Sequence, residues 1–328
     1  MTGMRDRRAF LAGLGRAAGA GLLASGGVPW LGCTTNRPAA PASARAASGL
    51  TDPASFKTPA SVRLRELRGY YYAQVNVNQQ PAGLWLIDTG SSITIVESGV
   101  AGRLSLDTAA GTGRVRGIGG TQAVRWVQGA TLAVTGVRLP VDRLGKMNLY
   151  TLNRAVSTPM SGILGFDALR PTPFTLDPRG SGATLVLHPK SEFEAEAGMR
   201  SVPLRTWGGV AVVEGDFGGG SKGPLVVDTG QDRELTLPEA WAVRWPGMFA
   251  SPQTGPGRSV GIGGRARGRE GWVKSLRALG WAWRDVPVKI EPGGRRGRIG
   301  MKLLGEMVLS FDAAAGKLWA KPAEREDA

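Results

Sequence analysis

Asp88 and Asp228 stand in the same tripeptide, Asp-Thr-Gly, 140 residues apart. Each triplet follows a run of apolar residues: Leu84-Trp85-Leu86-Ile87 in one case and Pro224-Leu225-Val226-Val227 in the other. A buried strand that ends in a tight glycine loop presents its carboxylate at a cleft. One such loop has no partner, but two loops related by a pseudo-two-fold axis would set their carboxylates side by side. Carboxylates about 3 Å apart cannot both ionise, so the pair shares one proton. One member then acts as base on a bound water while the other donates a proton to a carbonyl oxygen. Such a pair titrates as a unit. Thr89 and Thr229 are placed to hydrogen-bond across the axis, and Gly90 and Gly230 let the backbone pass closely.

The elements that would position these loops repeat. Ser61–Gly90 aligns on Ser201–Gly230 without a gap, with Gly69 on Gly209 and Gly83 on Gly223. Further on the landmarks persist with small gaps. Gly-Ile-Gly-Gly occurs at 117–120 and again at 261–264, and Gly-Ile-Leu-Gly at 162–165 is echoed by Gly-Arg-Ile-Gly at 297–300. The stretch from Phe174 is echoed by the stretch from Leu309. Landmarks in one order twice over indicate a tandem duplication. The halves are expected at 60–188 and 200–321, joined by a polar connector.

Within each half the pattern is all-β. Tyr70–Val77 alternates, the runs before each triplet fit buried strands, and the runs after them (Ser92–Val96, Glu234–Leu237) fit further strands. A Gly-bounded hairpin carries each Gly-Ile-Gly-Gly. Short helices are expected over Pro238–Trp245, with proline in its first turn, and after each of the two later glycine motifs. With 50 glycines and 21 prolines, the composition agrees with many short strands and turns.

Composition also excludes. One cysteine, Cys33, allows no internal disulfide. One histidine, His188, sits at an expected strand end with no nucleophile elbow and reads as a surface residue. No His/Cys cluster offers a zinc site, so no metal or cofactor is expected. The net charge of +15 is spread over arginines near glycine loops. Nucleic-acid proteins show a basic stripe with interleaved aromatics instead, so no nucleic-acid partner is expected.

The N-terminus reads as an address. Arg7 and Arg8 precede a weakly apolar Ala/Gly/Leu stretch that ends at Cys33, which looks like a twin-arginine export signal over residues 1–33. Cys33 resembles a lipidation cysteine, which would attach the chain to a membrane. Trp30 and Leu31 depart from the usual lipobox, and cleavage after Ala42-Ser43-Ala44 is the competing exit. Residues 34–59 are rich in Ala, Pro and Ser and are expected to be a disordered tether. No later segment has about 18 uninterrupted apolar residues. The expected compartment is the bacterial cell envelope, periplasmic or lipid-anchored, or the medium outside.

Taken together, these motifs resemble the aspartic proteases of the pepsin/retropepsin kind. Their order is similar to that of the retroviral proteases: an apolar-Asp-Thr-Gly loop, a Gly-rich flap hairpin, then an apolar-apolar-Gly motif opening a short helix. The resemblance covers both repeats. It implies two tandem retropepsin-like β-barrel lobes related by pseudo-two-fold symmetry, with the cleft between them, in a monomer that is an internal pseudo-dimer. It implies an aspartic endopeptidase whose catalytic pair is Asp88 and Asp228, supported by Thr89, Gly90, Ser91, Thr229 and Gly230. Ser91 would hold the outer oxygen of Asp88. Gly117, Ile118, Gly119 and Gly120, with Gly261, Ile262, Gly263 and Gly264, would be flap tips closing over an extended peptide or protein substrate. Asp232 would contact the substrate backbone; Ser92 at the matching first-half position lacks that carboxylate. Gln231 departs from the small residue expected after the second triplet. Arg114, Arg116 and Arg233 could shift the working pH if they lie near the cleft. The alternative from another class is a catalytically silent envelope protein of the same fold that binds peptides or anionic polymers.

Overall fold

The computed structural model describes residues 50–52, 56–180, 182–190, 193–251 and 256–323. The expected export signal over residues 1–33, Cys33 included, and residues 34–49 lie outside them. The fold is all-β. Among the described residues, no helix is long and apolar enough to cross a membrane.

A six-stranded sheet joins the two halves. Its order is Ala60–Arg63, Thr184–Leu187, Phe174–Asp177, Met307–Asp312, Lys317–Pro322, Arg200–Pro203. The first three strands come from the first half and the last three from the second, so repeat-matched strands occupy matched places on either side of the centre. The central pair is antiparallel, with Phe174 opposite Phe311 and Leu176 opposite Leu309. The rings of Phe174 and Phe311 stack at 4.5 Å between centroids, and Phe166 packs edge-on to both. One apolar core therefore runs through both halves, from Leu64 and Trp85 to Leu304 and Leu318. Burial of this sheet's apolar face is what fastens the halves together.

Each half adds a larger sheet of its own. In the second half, one long strand, Gly264–Ala278, pairs with Trp281–Glu291 and reaches back to Val210–Asp216, where Arg277 meets Asp216 and closes the sheet on itself. In the first half the same path is broken in two. Gly120–Val127 is followed by a bend and then Leu132–Val134, which meets Tyr70–Val77 with Ala133 opposite Asn76. Asn76 and Asp216 are themselves 140 residues apart, so both sheets close at matched residues.

The expected helices form at Phe166–Leu169, Glu239–Arg244 and Met301–Leu304. Two more, Ser98–Arg103 and Tyr150–Val156, were not legible. The first holds two glycines and depends on Glu97, whose carboxylate accepts from the Gly99 and Val100 amides.

Two expectations need correction. The tether is ordered before residue 60: the Thr51 amide donates to Gly136 O (3.0 Å), Thr51 O accepts from Arg138 (2.9 Å), and Phe56 packs on the core. His188 is half-buried, not a surface residue. Its Nε2 lies 2.8 Å from Thr175 Oγ1 and its ring meets Phe193 edge-on.

Candidate active site

The same local topology delivers both triplets. In the first half, Gln80–Asp88 runs parallel to Gly162–Gly165, with Gly165 opposite Asp88, and Thr94–Glu97 pairs antiparallel on the other side of that glycine strand. In the second half, Lys222–Val227 runs parallel to Gly297–Ile299, which pairs antiparallel with Leu235–Pro238. Each triplet thus leaves a central strand flanked by two neighbours. Glycine is needed at 162, because a Cβ there would stand 2.5 Å from the Trp85 ring.

The two loops lock into each other. Thr89 Oγ1 donates to Val227 O (2.5 Å) and accepts from the Thr229 amide (3.2 Å). In return, Thr229 Oγ1 donates to Ile87 O (2.8 Å) and accepts from the Thr89 amide (3.0 Å). Both threonines are fully buried. Within each loop the glycine amide donates to its own aspartate, Gly90 to Asp88 Oδ1 at 2.9 Å and Gly230 to Asp228 Oδ1 at 3.1 Å.

The glycines also set how closely the carboxyl groups approach. A Cβ on Gly90 would lie 2.4 Å from the Asp228 carboxyl carbon, and one on Gly230 would lie 2.4 Å from that of Asp88. To make room, each carboxyl would have to turn away from the amide of its own glycine. Gly90→Ala or Gly230→Ala is therefore expected to abolish any activity of this site while the protein still folds, because the clash is confined to the loop pair. Activity of either variant within about tenfold of the parent, a cost of only about 1.4 kcal/mol, would contradict this.

Each carboxyl group faces the other loop's glycine, so Asp88 and Asp228 influence each other's ionisation. Burial pushes Asp88 well above the usual carboxylate range, and the negative charge of Asp228 pushes it further; the Gly90 and Ser91 amides pull it back. Burial also raises Asp228, but there the strongest opposing influence is the Arg298 guanidinium. One shared proton is the state that this arrangement favours at neutral pH.

Each half also carries a glycine hairpin. Gly113–Gly117 pairs with Gly120–Val127, and Pro256–Gly261 pairs with Gly264–Ala278. Their tips meet: the Gly119 amide donates to Ile262 O at 3.0 Å. A Cβ on Gly119 would fall 2.2 Å from the Gly264 backbone, and one on Gly263 would fall 2.3 Å from that of Gly120. Ile262 rests on the first-half cluster of Tyr70, Tyr72, Leu86, Ile95 and Ile163, and Ile118 faces Gly261.

Residues 73–168 match the family model of an aspartyl protease. That stretch is aspartyl-protease-like. It holds the first Asp-Thr-Gly triplet, the first glycine hairpin, the Gly162–Gly165 strand and the helix after it. No curated protein matches the chain.

Among the expected site residues, Ser91 stands elsewhere than expected. The Ser91 hydroxyl does not hold Asp88; it donates to Ile93 O (2.8 Å), while the Ser91 amide closes the turn on the Asp88 main-chain O (3.1 Å). Asp232 is exposed beside Tyr70, and Ser92 packs on Gly209. Arg233 pairs with Glu270 at 3.0 Å. The cation that does reach the dyad is Arg298, which sequence reasoning missed. Its signal was present, since it is the one charged residue in the two later glycine motifs. Tyr70, a sheet residue by its alternating pattern, lies within electrostatic reach of Asp88, Asp228 and Asp232.

Proposed function

We propose that the chain is an aspartic endopeptidase that hydrolyses peptide bonds with a water activated by Asp88 and Asp228. The observation that carries this reading is the crossed loop pair. Two carboxyl groups, Asp228 buried and Asp88 half-buried, each against the other loop's glycine, form a unit that shares one proton. The touching glycine hairpins support a substrate held as an extended strand, paired through its backbone. We further propose that the enzyme is exported by the twin-arginine route and acts in the bacterial envelope or outside as a monomer. That part rests on the N-terminal sequence.

The test is cleavage of an unfolded-protein digest by the chain from Arg45 onward, read by mass spectrometry between about pH 3 and pH 9, across the range where coupled carboxylates titrate. The expected result is a defined set of new peptide termini produced by the parent. A folded parent that cuts nothing at any pH in the presence of a wide peptide set would replace this reading with a silent peptide-binding protein.

A further inference from the structure

The two halves differ on the sheet face that looks toward the hairpins. Strand register sets Arg298 where the first half has Ile163, Thr236 where it has Ile95, and Glu291 where it has Met147. Ile163, Ile95 and Met147 belong to the apolar cluster beneath Ile262. Their counterparts form a polar network. Arg298 Nε lies 3.7 Å from Asp228 Oδ2 and donates to Gln231 Oε1 at 3.0 Å. Arg298 Nη2 donates to Glu291 Oε2, whose other oxygen accepts from Lys289 Nζ at 2.8 Å. Thr236 Oγ1 also donates to Gln231 Oε1 at 3.0 Å. Gln231, the residue that departs from the small side chain expected after the triplet, is thus the clamp that holds the guanidinium beside Asp228.

Stability alone gives little reason for such a network. Replacing buried ion pairs with apolar residues of similar size is often neutral or stabilising, and the first half has the apolar version. The groups whose charge reaches Asp228 are Asp88 on the facing loop, Tyr70 on Tyr70–Val77, Arg298 on Gly297–Ile299 and Glu291 at the end of Trp281–Glu291. Glu291 opposes Arg298, but Lys289 neutralises it from its other side. Asp88 has Ile163, not a cation, at the matching position.

We propose that Arg298, held by Gln231 and Glu291, is a positioning residue that makes the pair unequal, so that Asp228 carries the negative charge and Asp88 the proton. This rests on the peptidase reading above. Asp228 then takes a proton from the water as the water oxygen bonds to the scissile carbonyl carbon, and Asp88 gives its proton to the carbonyl oxygen. In collapse, the protonated Asp228 gives its proton to the leaving nitrogen, one hydroxyl of the diol returns a proton to Asp88, and the carbon–nitrogen bond breaks. No other reactant is needed. An acid-range carboxylate beside a permanent cation extends the active monoanion to lower pH than burial alone would allow.

The test follows the aspartate carboxyl carbons by 13C NMR against pH, in the Asp88→Asn background, with and without Arg298→Gln. That substitution leaves the Lys289–Glu291 pair intact, and Asp228, which loses its cation, relieves the buried charge by taking up a proton. Asp228 is expected to ionise about one to three units higher without Arg298, the range for loss of an opposite charge within 4–6 Å. Arg298→Lys is expected to retain most of the shift. In chains with both aspartates, the acid limb of kcat/KM should move up by the same amount, with kcat affected more than KM at acid pH. If Arg298→Gln fails to fold, Arg298→Ile supplies the residue that the first half carries. An unchanged Asp228 titration overturns the inference, whatever the activity. A chain that shows the shift and cleaves nothing removes the peptidase reading instead.

Discussion

Replacing either Asp88 or Asp228 with Asn is expected to lower kcat for peptide cleavage by about 10³-fold or more. The acid–base contribution of a positioned group is about 10² to 10⁴. Here one substitution disables both roles, since an amide can neither take the water's proton nor pass one back. The double variant should be no worse than either single one, because residues that act as a unit are non-additive. Single-turnover rates on a peptide found in the digest would measure this. A single variant that retains a tenth of the parent's rate would remove the shared-proton assignment. The same Asp88→Asn variant should show a stability signature of opposite sign. Asp88 is raised in the folded chain to about 8, so the stability linked to its proton is complete below the ordinary carboxylate pKa near 4. It is lost as pH rises toward 8. Asn mimics the protonated form and escapes that loss. Urea unfolding should therefore find variant and parent alike near pH 4 and the variant the more stable of the two at pH 8.

The second large effect concerns the loop lock. Thr89→Val keeps the shape and removes the hydroxyl. It strands the Val227 carbonyl and the Thr229 amide, both buried, without their partners. Each buried unsatisfied group costs about 1–3 kcal/mol, so a loss of about 2–6 kcal/mol is expected. Thr229→Val strands the Ile87 carbonyl and the Thr89 amide and should cost the same. Thr→Ser at either site keeps the hydroxyl and should cost only about 1 kcal/mol for the lost methyl. Because the four bonds form one reciprocal set, the Val/Val variant should lose less than the sum of the two. Equilibrium denaturation measures all five chains. A Thr89→Val chain within 1 kcal/mol of Thr89→Ser would show that the lock contributes little.

Much of this was legible in the residues themselves. The ungapped repeat from Ser61 to Gly90 onto Ser201 to Gly230 paired Asp88 with Asp228, and alternation and glycine spacing identified the strands and hairpins. These are local properties: side-chain period, turn chemistry and order along the chain decide them, and a duplication shows them twice. Short elements with weak propensity escaped, such as Ser98–Arg103, whose two glycines oppose a helix that Glu97 caps. The ordered approach to residue 60 also escaped, because composition cannot foresee that Thr51 finds the backbone of Gly136. What only the tertiary structure decided is how the two copies differ where they face each other. Ile163 and Arg298 occupy one position in matched glycine motifs, and register carries Arg298 to within 3.7 Å of Asp228. Gln231 looked like a defect after its triplet and proved to be the acceptor that holds that guanidinium. Electrostatic influence depends on distance and burial between residues tens of positions apart. The chain order states neither, so the repeat could show that there are two carboxylates, and only the fold could make them unequal.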